Sequence, residues 1–262
     1  MMAHRQTAPA GNPQGTLLCV HGWPETSYMW RHVLDAAAQA GWRAVAPDLL
    51  GFGDSPTDPP HTWERQVEAL WELHTELELG PVVLAVHDWG GLVGLRWACD
   101  HPEVVRAMVI SDTGFFADGK WHGLAETLRT EGQGEQLVAG LTPEGFAGLM
   151  TQASTGIDDA AAAEYFKTFA GDEARRRATL DLYRSGDFEK LEPYAGRLEG
   201  IDVPALLLWG ADDPFAPLAG AERLAQRLPQ ARLEVVPGTG HFVYDDAPDV
   251  AAAAVAGFLR SL

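Results

Sequence analysis

The sequence lacks any long apolar run and has only two cysteines, Cys19 and Cys99. Without a stretch of about 18 consecutive apolar residues, the chain has no candidate membrane span. Two thiols in apolar surroundings exclude a disulfide framework and predict buried, reduced cysteines. The N-terminal segment MMAHRQTAPAGNPQG also lacks the apolar core of a signal peptide, so a cytoplasmic location is expected.

Basic residues are scarce, because 19 Lys and Arg stand against 37 Asp and Glu, which leaves a net charge of -18. Such a surface repels phosphate backbones and anionic membranes, so we expect neither nucleic acid nor a membrane as a partner. The 46% hydrophobic and 21% charged residues exclude disordered and collagen-like proteins. A length of 262 residues favours one α/β domain with an inserted subdomain, either as a monomer or as a homodimer.

Short apolar runs alternate with amphipathic stretches along most of the chain. The predicted strands are 16–20, 43–47, 82–86, 104–110, 205–209 and 231–236. The predicted helices of this alternating part are 27–40, 61–79, 91–99, 218–228 and 248–262. The alternation predicts an α/β fold with a mostly parallel sheet and helices on both faces.

The alternation stops after Asp112 and resumes at Ala205. The intervening stretch is rich in Gly, Ala and charged residues, and its clearest helical patches are 160–169 and 174–183. We therefore predict a core formed by 1–112 and 201–262, with 113–200 as an inserted helical segment.

The stretch AVHDWGG at 85–91 stands between a predicted strand and a predicted helix. A sharp strand-to-helix turn with a nucleophile at its tip needs a small residue two positions further on, and Gly90 meets that need. The tip is then Asp88, near helix N–H groups that stabilise negative charge. Taken alone, the same pattern also fits an aspartate that caps the helix.

Two later stretches follow predicted strands directly. GADDP contains Asp213, and GTGH ends at His241. The carboxyl ends of parallel strands meet at one edge of a sheet, where α/β active sites are built. Asp88, Asp213 and His241 also follow each other in the order of nucleophile, acid and base, which is the chain order of triads whose nucleophile lies on such a strand-to-helix turn.

These motifs identify a resemblance to α/β-hydrolases of the epoxide hydrolase and haloalkane dehalogenase group, over essentially the full chain. The matching stretches are HGWP at 21–24, DLLGFGDS at 48–55, HDWGG at 87–91, GADD at 210–213 with Pro217, and GHF at 240–242. The resemblance implies an α/β-hydrolase fold, an aspartate nucleophile, and a helical lid that corresponds to 113–200.

The chain departs from this family at its beginning. Family members carry two strands before the HGWP-type turn, but only about twenty residues precede the turn here. We expect the first strand to be absent and the second to be short, which gives a sheet of about seven strands. Val86 also replaces the small residue of many hydrolases, a change that dehalogenase-like relatives tolerate.

The family spacing selects Asp213 rather than its neighbour Asp212 as the acid, because Pro217 follows Asp213 four residues later. Asp112 is an alternative, since some relatives place the acid at the end of the preceding strand. A role as a cap at the strand end is the interpretation that we favour for Asp112.

A carboxylate nucleophile displaces a leaving group from an sp³ carbon and leaves an alkyl ester on Asp88. His241, oriented by Asp213, would then deprotonate the water that attacks this ester. The resemblance assigns the oxyanion hole to the backbone N–H groups of Trp23 and Trp89. The chemistry requires no cofactor, and the sequence has no Cys/His cluster with metal-binding spacing.

Two activities on a small apolar organic substrate are possible, and they differ in the leaving group. An epoxide leaves as an alkoxide and needs an acid, for which the resemblance points to Tyr183 and Tyr165. A halide needs N–H donors in a dry pocket; the indole of Trp89 is one, and Trp23 or Trp121 would have to supply the second. The sequence favours an epoxide hydrolase, with a haloalkane dehalogenase as the alternative.

Two further classes stay open at this point. Some proteins of this fold are receptors without catalytic activity, and others are ordinary esterases. A complete set of Asp88, Asp213 and His241 together with both oxyanion positions argues against a receptor.

Overall fold

The computed structural model describes residues 1–171 and 173–262. Within these ranges seven strands form one sheet: β1 His4–Thr7, β2 Thr16–Val20, β3 Arg43–Pro47, β4 Val82–His87, β5 Val105–Ser111, β6 Ala205–Gly210 and β7 Ala231–Val236. Their order is β1-β3-β2-β4-β5-β6-β7, with β1 antiparallel to β3 and the other pairs parallel. The predicted mostly parallel sheet of about seven strands is confirmed.

The helices connect these strands or follow them. They are α1 Arg31–Gln39, α2 Trp63–Glu76, α3 Trp89–Asp100, α4 Gly123–Arg129, α5 Gln133–Gly140, α6 Pro143–Ala153, α7 Asp159–Phe166, α8 Glu173–Ser185, α9 Leu218–Arg227, α10 Val243–Asp246 and α11 Pro248–Arg260. In the described part of the chain, three short 3-10 turns accompany them, at Ser27–Trp30, Pro102–Val104 and Phe188–Tyr194. No helix in the described part of the chain is long and apolar enough to cross a membrane.

Two strands, β1 and β2, precede the HGWP turn, so the expectation that the first would be absent is wrong. β1 is four residues long and pairs antiparallel with β3, from His4 opposite Pro47 to Thr7 opposite Ala44. Its sequence, HRQT, has no alternation of apolar and polar residues. Only the pairing with β3 identifies it as a strand, and a pairing partner is not visible in a local pattern.

Strand order reverses at β2, because β3 lies on one side of β2 and β4 on the other. Since strand–helix–strand connections are right-handed, α1 and α2 must cover opposite faces of the sheet. In agreement, α1 packs with α11, whereas α2 packs with α3. The carboxyl ends of β2 and β4 therefore flank a crevice, which is where sheets of this type bind ligands.

Between β5 and β6 the described residues form helices and turns, from α4 to the 3-10 turn at Phe188–Tyr194; we refer to residues 123–194 as the helical segment. Its helices α7 and α8 coincide with the two patches found in the sequence. Helices α4 to α6 were not predicted, because their glycines obscure the periodicity. For α6 the start is still encoded locally, since the Thr142 hydroxyl accepts the N–H of Gly145 and Pro143 is the first residue.

One buried carboxylate organises the loop that follows β3. Asp48 accepts the N–H of Ser27 on Oδ1 at 2.6 Å and the N–H of Asp54 on Oδ2 at 2.9 Å. Gly53 lies so close that a Cβ there would overlap the Asp48 carboxylate. Asp48 thus joins the loop at 48–55 to the turn that follows the HGWP stretch.

We expect Asp48→Ala to lower the free energy of unfolding by about 2–4 kcal/mol, because the N–H groups of Ser27 and Asp54 lose a charged acceptor. Asp54→Ala is the matched control, since Asp54 is exposed and pairs with Lys167 at 3.2 Å on the surface. Its effect should stay within about 0.5 kcal/mol. Urea unfolding followed by circular dichroism measures both, and equal effects would contradict this account of the loop.

Candidate active site

Asp88 lies at the tip of a sharp turn between β4 and α3. Its backbone has φ 47° and ψ -122°, in the left-handed region that residues other than glycine rarely adopt. The turn is tight because a Cβ at Gly90 would overlap the carbonyl oxygen of Val20, and one at Gly22 would overlap the Asp88 side chain. Glycine at both positions lets β2, the turn and α3 approach each other closely.

The loop that follows β7 brings His241 to this turn. Its Nδ1 lies 2.8 Å from Asp213 Oδ2, and its Nε2 lies 3.5 Å from Asp88 Oδ2. The second oxygen of Asp213 accepts the N–H groups of Phe215 and Ala216 at 2.7 and 2.9 Å, which fixes this carboxylate. The structure therefore brings together the three residues that the sequence grouped.

Two other acids near Asp213 have different surroundings. Asp212 is exposed. Asp112 is buried, and its Oδ1 accepts the N–H of Gly210 at 2.9 Å, so that it links the ends of β5 and β6. Burial, together with the negative charge of Asp213, raises the pKa of Asp112 well above its usual range. Asp213, and not Asp112, is the acid that contacts the imidazole of His241.

The charges of the site depend on one another. Burial alone would lower the pKa of His241, but Asp213 and Asp88 outweigh burial and raise this pKa well above its usual range. Burial would likewise raise the pKa of Asp88 and of Asp213, yet the His241 imidazolium lowers both. The imidazolium form of His241 and the carboxylate forms of Asp88 and Asp213 therefore stabilise one another.

This arrangement links stability to pH. Because the pKa of His241 is raised on folding, its ion pairs stabilise the folded chain fully below the unfolded pKa of about 6.5. That contribution is lost as the pH rises through the raised pKa of the folded state.

A backbone N–H group contacts the other oxygen of the nucleophile candidate. The N–H of Trp23 donates to Asp88 Oδ1 at 2.7 Å. Trp89 is the first residue of α3, so its N–H is one of those that no intrahelical carbonyl accepts. The Trp23 N–H and the N-terminus of α3 favour negative charge on Asp88, whose Oδ2 faces His241.

Two cavities of about 300 Å³ each reach Asp88 and His241. The first is lined mainly by apolar side chains of the helical segment, including Leu124, Leu128, Leu137, Val138, Phe146, Leu149 and Met150. The second lies between the loop at 112–121, Phe188 and the start of α9. The residues that line both cavities are Asp88, His122, Phe215 and His241.

The two tyrosines proposed as acids from the sequence differ in their surroundings. Tyr183 on α8 lines the first cavity, and burial together with the charge of Asp88 raises its pKa well above its usual range. Tyr165 on α7 lines neither described cavity, which corrects its assignment to substrate binding. Its hydroxyl donates to Asp245 Oδ2 at 2.7 Å, and Asp245 also pairs with Arg31 at 2.9 Å. This buried carboxylate, paired with a cation, is a strong acceptor and holds the phenol away from the site.

The three tryptophans expected at the pocket are engaged differently. Trp23 lines the first cavity, and its indole N–H donates to Thr179 Oγ1 at 3.2 Å. Trp121 lines the second cavity, and its indole N–H donates to the carbonyl of Gly186 at 2.8 Å. The Trp89 indole stacks on Trp121, and its buried N–H has no acceptor among the described residues.

Sequence analysis missed His122 and Phe215, which line both cavities. Phe215 follows the GADDP stretch directly, so its proximity to Asp213 could have suggested it. His122 follows Trp121, but nothing in the local pattern shows which way a loop residue faces. In the described ranges no group of three or more His, Cys, Asp or Glu side chains could hold a metal ion.

The family model of the alpha/beta hydrolase fold matches residues 15–248, which include Asp88, Asp213 and His241. The chain therefore belongs to the α/β-hydrolase fold family. It is a hydrolase of that family, and the resemblance inferred from the motifs is confirmed.

The similar proteins include members of both groups that the motifs suggested. A haloalkane dehalogenase of Sphingobium indicum is 32% identical, over 94% of this chain and 88% of its own length. The crystal structure of an ancestral haloalkane dehalogenase matches with a TM-score of 0.83 and 26% identity, over 99% of this chain and 95% of that one. An epoxide hydrolase of Vigna radiata, 20% identical, shares the fold with a TM-score of 0.80 over 100% of this chain and 98% of its own.

We expect Asp213→Asn to lower the pKa of His241, because it removes the larger of the two charges that raise it. Asp212→Asn, a neighbouring change of the same chemistry on an exposed side chain, should leave this pKa nearly unchanged. Nitrogen-15 NMR titration of the imidazole measures both variants. The opposite result would identify Asp212 as the acid that pairs with His241.

Proposed function

We propose that this hydrolase forms a covalent alkyl ester at Asp88 and releases it with water, and that its substrate is a small apolar epoxide, converted to a vicinal diol. The observation that carries the epoxide assignment is Tyr183, a phenol in the wall of the cavity above Asp88. We also propose that 113–200 serves as a lid over a core of 1–112 and 201–262.

In the first step, Asp88 Oδ2 attacks an epoxide carbon while the Trp23 N–H holds Oδ1. The carbon–oxygen bond of the ring breaks, and its electron pair goes to the epoxide oxygen. Tyr183 donates its proton to this alkoxide, which is more basic than a phenolate, and regains a proton from water. The raised pKa of Tyr183 keeps the phenol protonated at neutral pH. The product of the step is a hydroxyalkyl ester of Asp88.

Ester formation itself prepares the second step. It neutralises Asp88 and so removes one of the two negative charges that raise the pKa of His241. His241 loses its proton more readily, and Nε2 becomes a base, held in place by Asp213. It deprotonates a water that attacks the ester carbon. The oxyanion at Oδ1 is stabilised by the N–H groups of Trp23 and Trp89, and its collapse expels the diol, which takes the proton from His241. Asp88 is left as a carboxylic acid and passes its proton to His241, which restores the starting ion pair.

The hydrogen bonds of the indoles support an epoxide over a halide as substrate. A departing halide needs two N–H donors directed into the cavity, but the indoles of Trp23 and Trp121 already donate to Thr179 and Gly186. The Trp89 indole N–H is free of an acceptor within the described ranges, yet it is buried beneath Trp121. A phenol suits an alkoxide, which must gain a proton, better than a halide, which leaves without one.

Haloalkane dehalogenation is the second candidate, and the comparisons favour it. The Sphingobium indicum relative, a haloalkane dehalogenase, is 32% identical over nearly the whole chain. The same Asp88 ester would form, with a halide as leaving group, and the same His241 step would release an alcohol. The first cavity, apolar and about 300 Å³ in volume, suits small apolar substrates of either class.

We expect His241→Gln to accumulate the ester, because alkylation of Asp88 does not need the base whereas hydrolysis does. Intact-protein mass spectrometry with styrene oxide and with phenethyl bromide, which have the same carbon skeleton, distinguishes the two activities. An epoxide adds its whole mass, and a bromide adds its mass less hydrogen bromide. We expect the epoxide adduct to form faster, with the modified peptide containing residues 85–91.

The control for this experiment is His241→Gln combined with Asp88→Asn, in which the amide is nearly isosteric but a poor nucleophile. It should form no adduct. An adduct that persists in this double variant, an acyl adduct on a serine, or no adduct with either reagent would contradict the Asp88 mechanism. A faster bromide adduct would make the chain a dehalogenase.

We expect Tyr183→Phe to slow styrene oxide turnover by about 10²-fold, because the alkoxide loses its acid. Turnover of phenethyl bromide should change little, since bromide leaves without a proton. Tyr165→Phe is the matched control, because that hydroxyl binds Asp245 outside the cavities. If Tyr165→Phe slows the epoxide and Tyr183→Phe does not, the assignment of the acid is reversed.

A further inference from the structure

His122 is a titratable side chain in the site that takes no part in the two steps above. It precedes α4 directly and lines both cavities, together with Asp88, Phe215 and His241. Tyr183 and Trp23, in contrast, line only the first cavity. His122 therefore lies where the two cavities meet at the nucleophile.

Local contacts fix the imidazole of His122 on two sides. Its Nδ1 accepts the backbone N–H of Ala125 at 3.4 Å, so the side chain caps the start of α4. Its ring packs against the Phe215 ring with the centroids 4.8 Å apart. An acceptor nitrogen carries no proton, so the proton of the neutral ring is assigned to Nε2. No described residue accepts a hydrogen bond from this Nε2–H.

The imidazole is also uncharged in the resting site. Burial lowers the pKa of His122, and this effect outweighs the negative charge of Asp88. The positive charge of His241 lowers the same pKa further. His122 consequently offers a neutral N–H donor beside Asp88, and it does not compete with His241 for an ion pair with the nucleophile.

We propose that the Nε2–H of His122 donates a hydrogen bond to the epoxide oxygen as negative charge develops there. This inference rests on the proposed function and names a further catalytic residue for it. Tyr183 supplies the proton, whereas His122 stabilises the oxygen without transferring one. The bonds formed and broken in the first step are therefore those described above. His122 fills the place of a second lid donor, which Tyr165 leaves vacant by binding Asp245.

The inference also predicts how the substrate lies. The epoxide oxygen faces the junction of the cavities, within reach of His122, and the apolar substituent extends into the first cavity among the leucines of the helical segment. The second cavity, with Thr113 and Lys120 in its wall, is left to water. The substrate class that fits this orientation is an epoxide with one bulky apolar substituent on one ring carbon and a small substituent, or none, on the other.

The test uses His122→Asn in the His241→Gln background, so that alkylation is measured alone in a single turnover. Asparagine is among the best N-cap residues and keeps the start of α4, but its shorter side chain places no N–H where Nε2 lies. With styrene oxide we expect the rate of adduct formation at saturation to fall about 10²-fold. The concentration for half-saturation should change less than about threefold, because the hydrogen bond strengthens only as charge develops.

The matched control is Thr142→Asn, which exchanges the N-cap of α6 at a side chain outside both cavities and should leave the rate unchanged. Thermal unfolding checks the fold of each variant. His122→Ser, which also caps a helix, repeats the test if the asparagine variant is unstable.

An unchanged rate of adduct formation in a folded His122 variant overturns the inference. The proposal of an ester at Asp88 is not affected by that result. Slower hydrolysis of the ester in an otherwise wild-type background, with alkylation unaffected, also overturns it, since His122 would then act on water. No adduct in the His241→Gln parent would overturn the proposed function, and the inference with it.

Discussion

The close approach of three backbone segments at Asp88 is the constraint on which the site depends. The turn forces a positive φ on an aspartate, and it exists because neither Gly90 nor Gly22 carries a Cβ that would overlap β2 or the Asp88 side chain. From this position one carboxylate oxygen contacts the N–H of Trp23 and the other faces His241. A looser turn would separate these contacts, so the geometry of the carboxylate follows from two absent side chains.

A second aspartate connects the helical segment to the loop that carries His241. Asp246 Oδ1 accepts the N–H groups of Thr155 and Gly156 at 2.9 and 3.1 Å, and its Oδ2 accepts the N–H of Gly240 at 3.0 Å. The residue before it, Asp245, binds the phenol of Tyr165 on α7. Consecutive carboxylates on α10 therefore hold the helical segment in a defined position above His241. The helical segment supplies most of the wall of the first cavity, so these two carboxylates anchor that wall to the core.

Overall similarity and local hydrogen bonding point to different leaving groups. The 32% identity to a haloalkane dehalogenase extends over 94% of this chain, but one fold can host different chemistries. In either proposed reaction the leaving group would be contacted by only a few side chains. The indole of Trp121 donates to a carbonyl, while Tyr183 lines the first cavity. We give more weight to these contacts because they act on the atoms that react.

The sequence alone determined the sheet, the turn and the triad candidates, because each depends on residues adjacent in the chain: an apolar strand, then a glycine-rich turn with Asp88, Asp213 or His241. It did not reveal β1, whose four residues become a strand only by pairing with β3. Only the tertiary structure decided that Tyr165 binds Asp245, that Tyr183 lines the cavity and that His122 meets both cavities. The physical reason is the distance along the chain. Asp245 lies 80 residues from Tyr165, and tertiary packing, not a local pattern, selects a hydrogen-bond partner so far away.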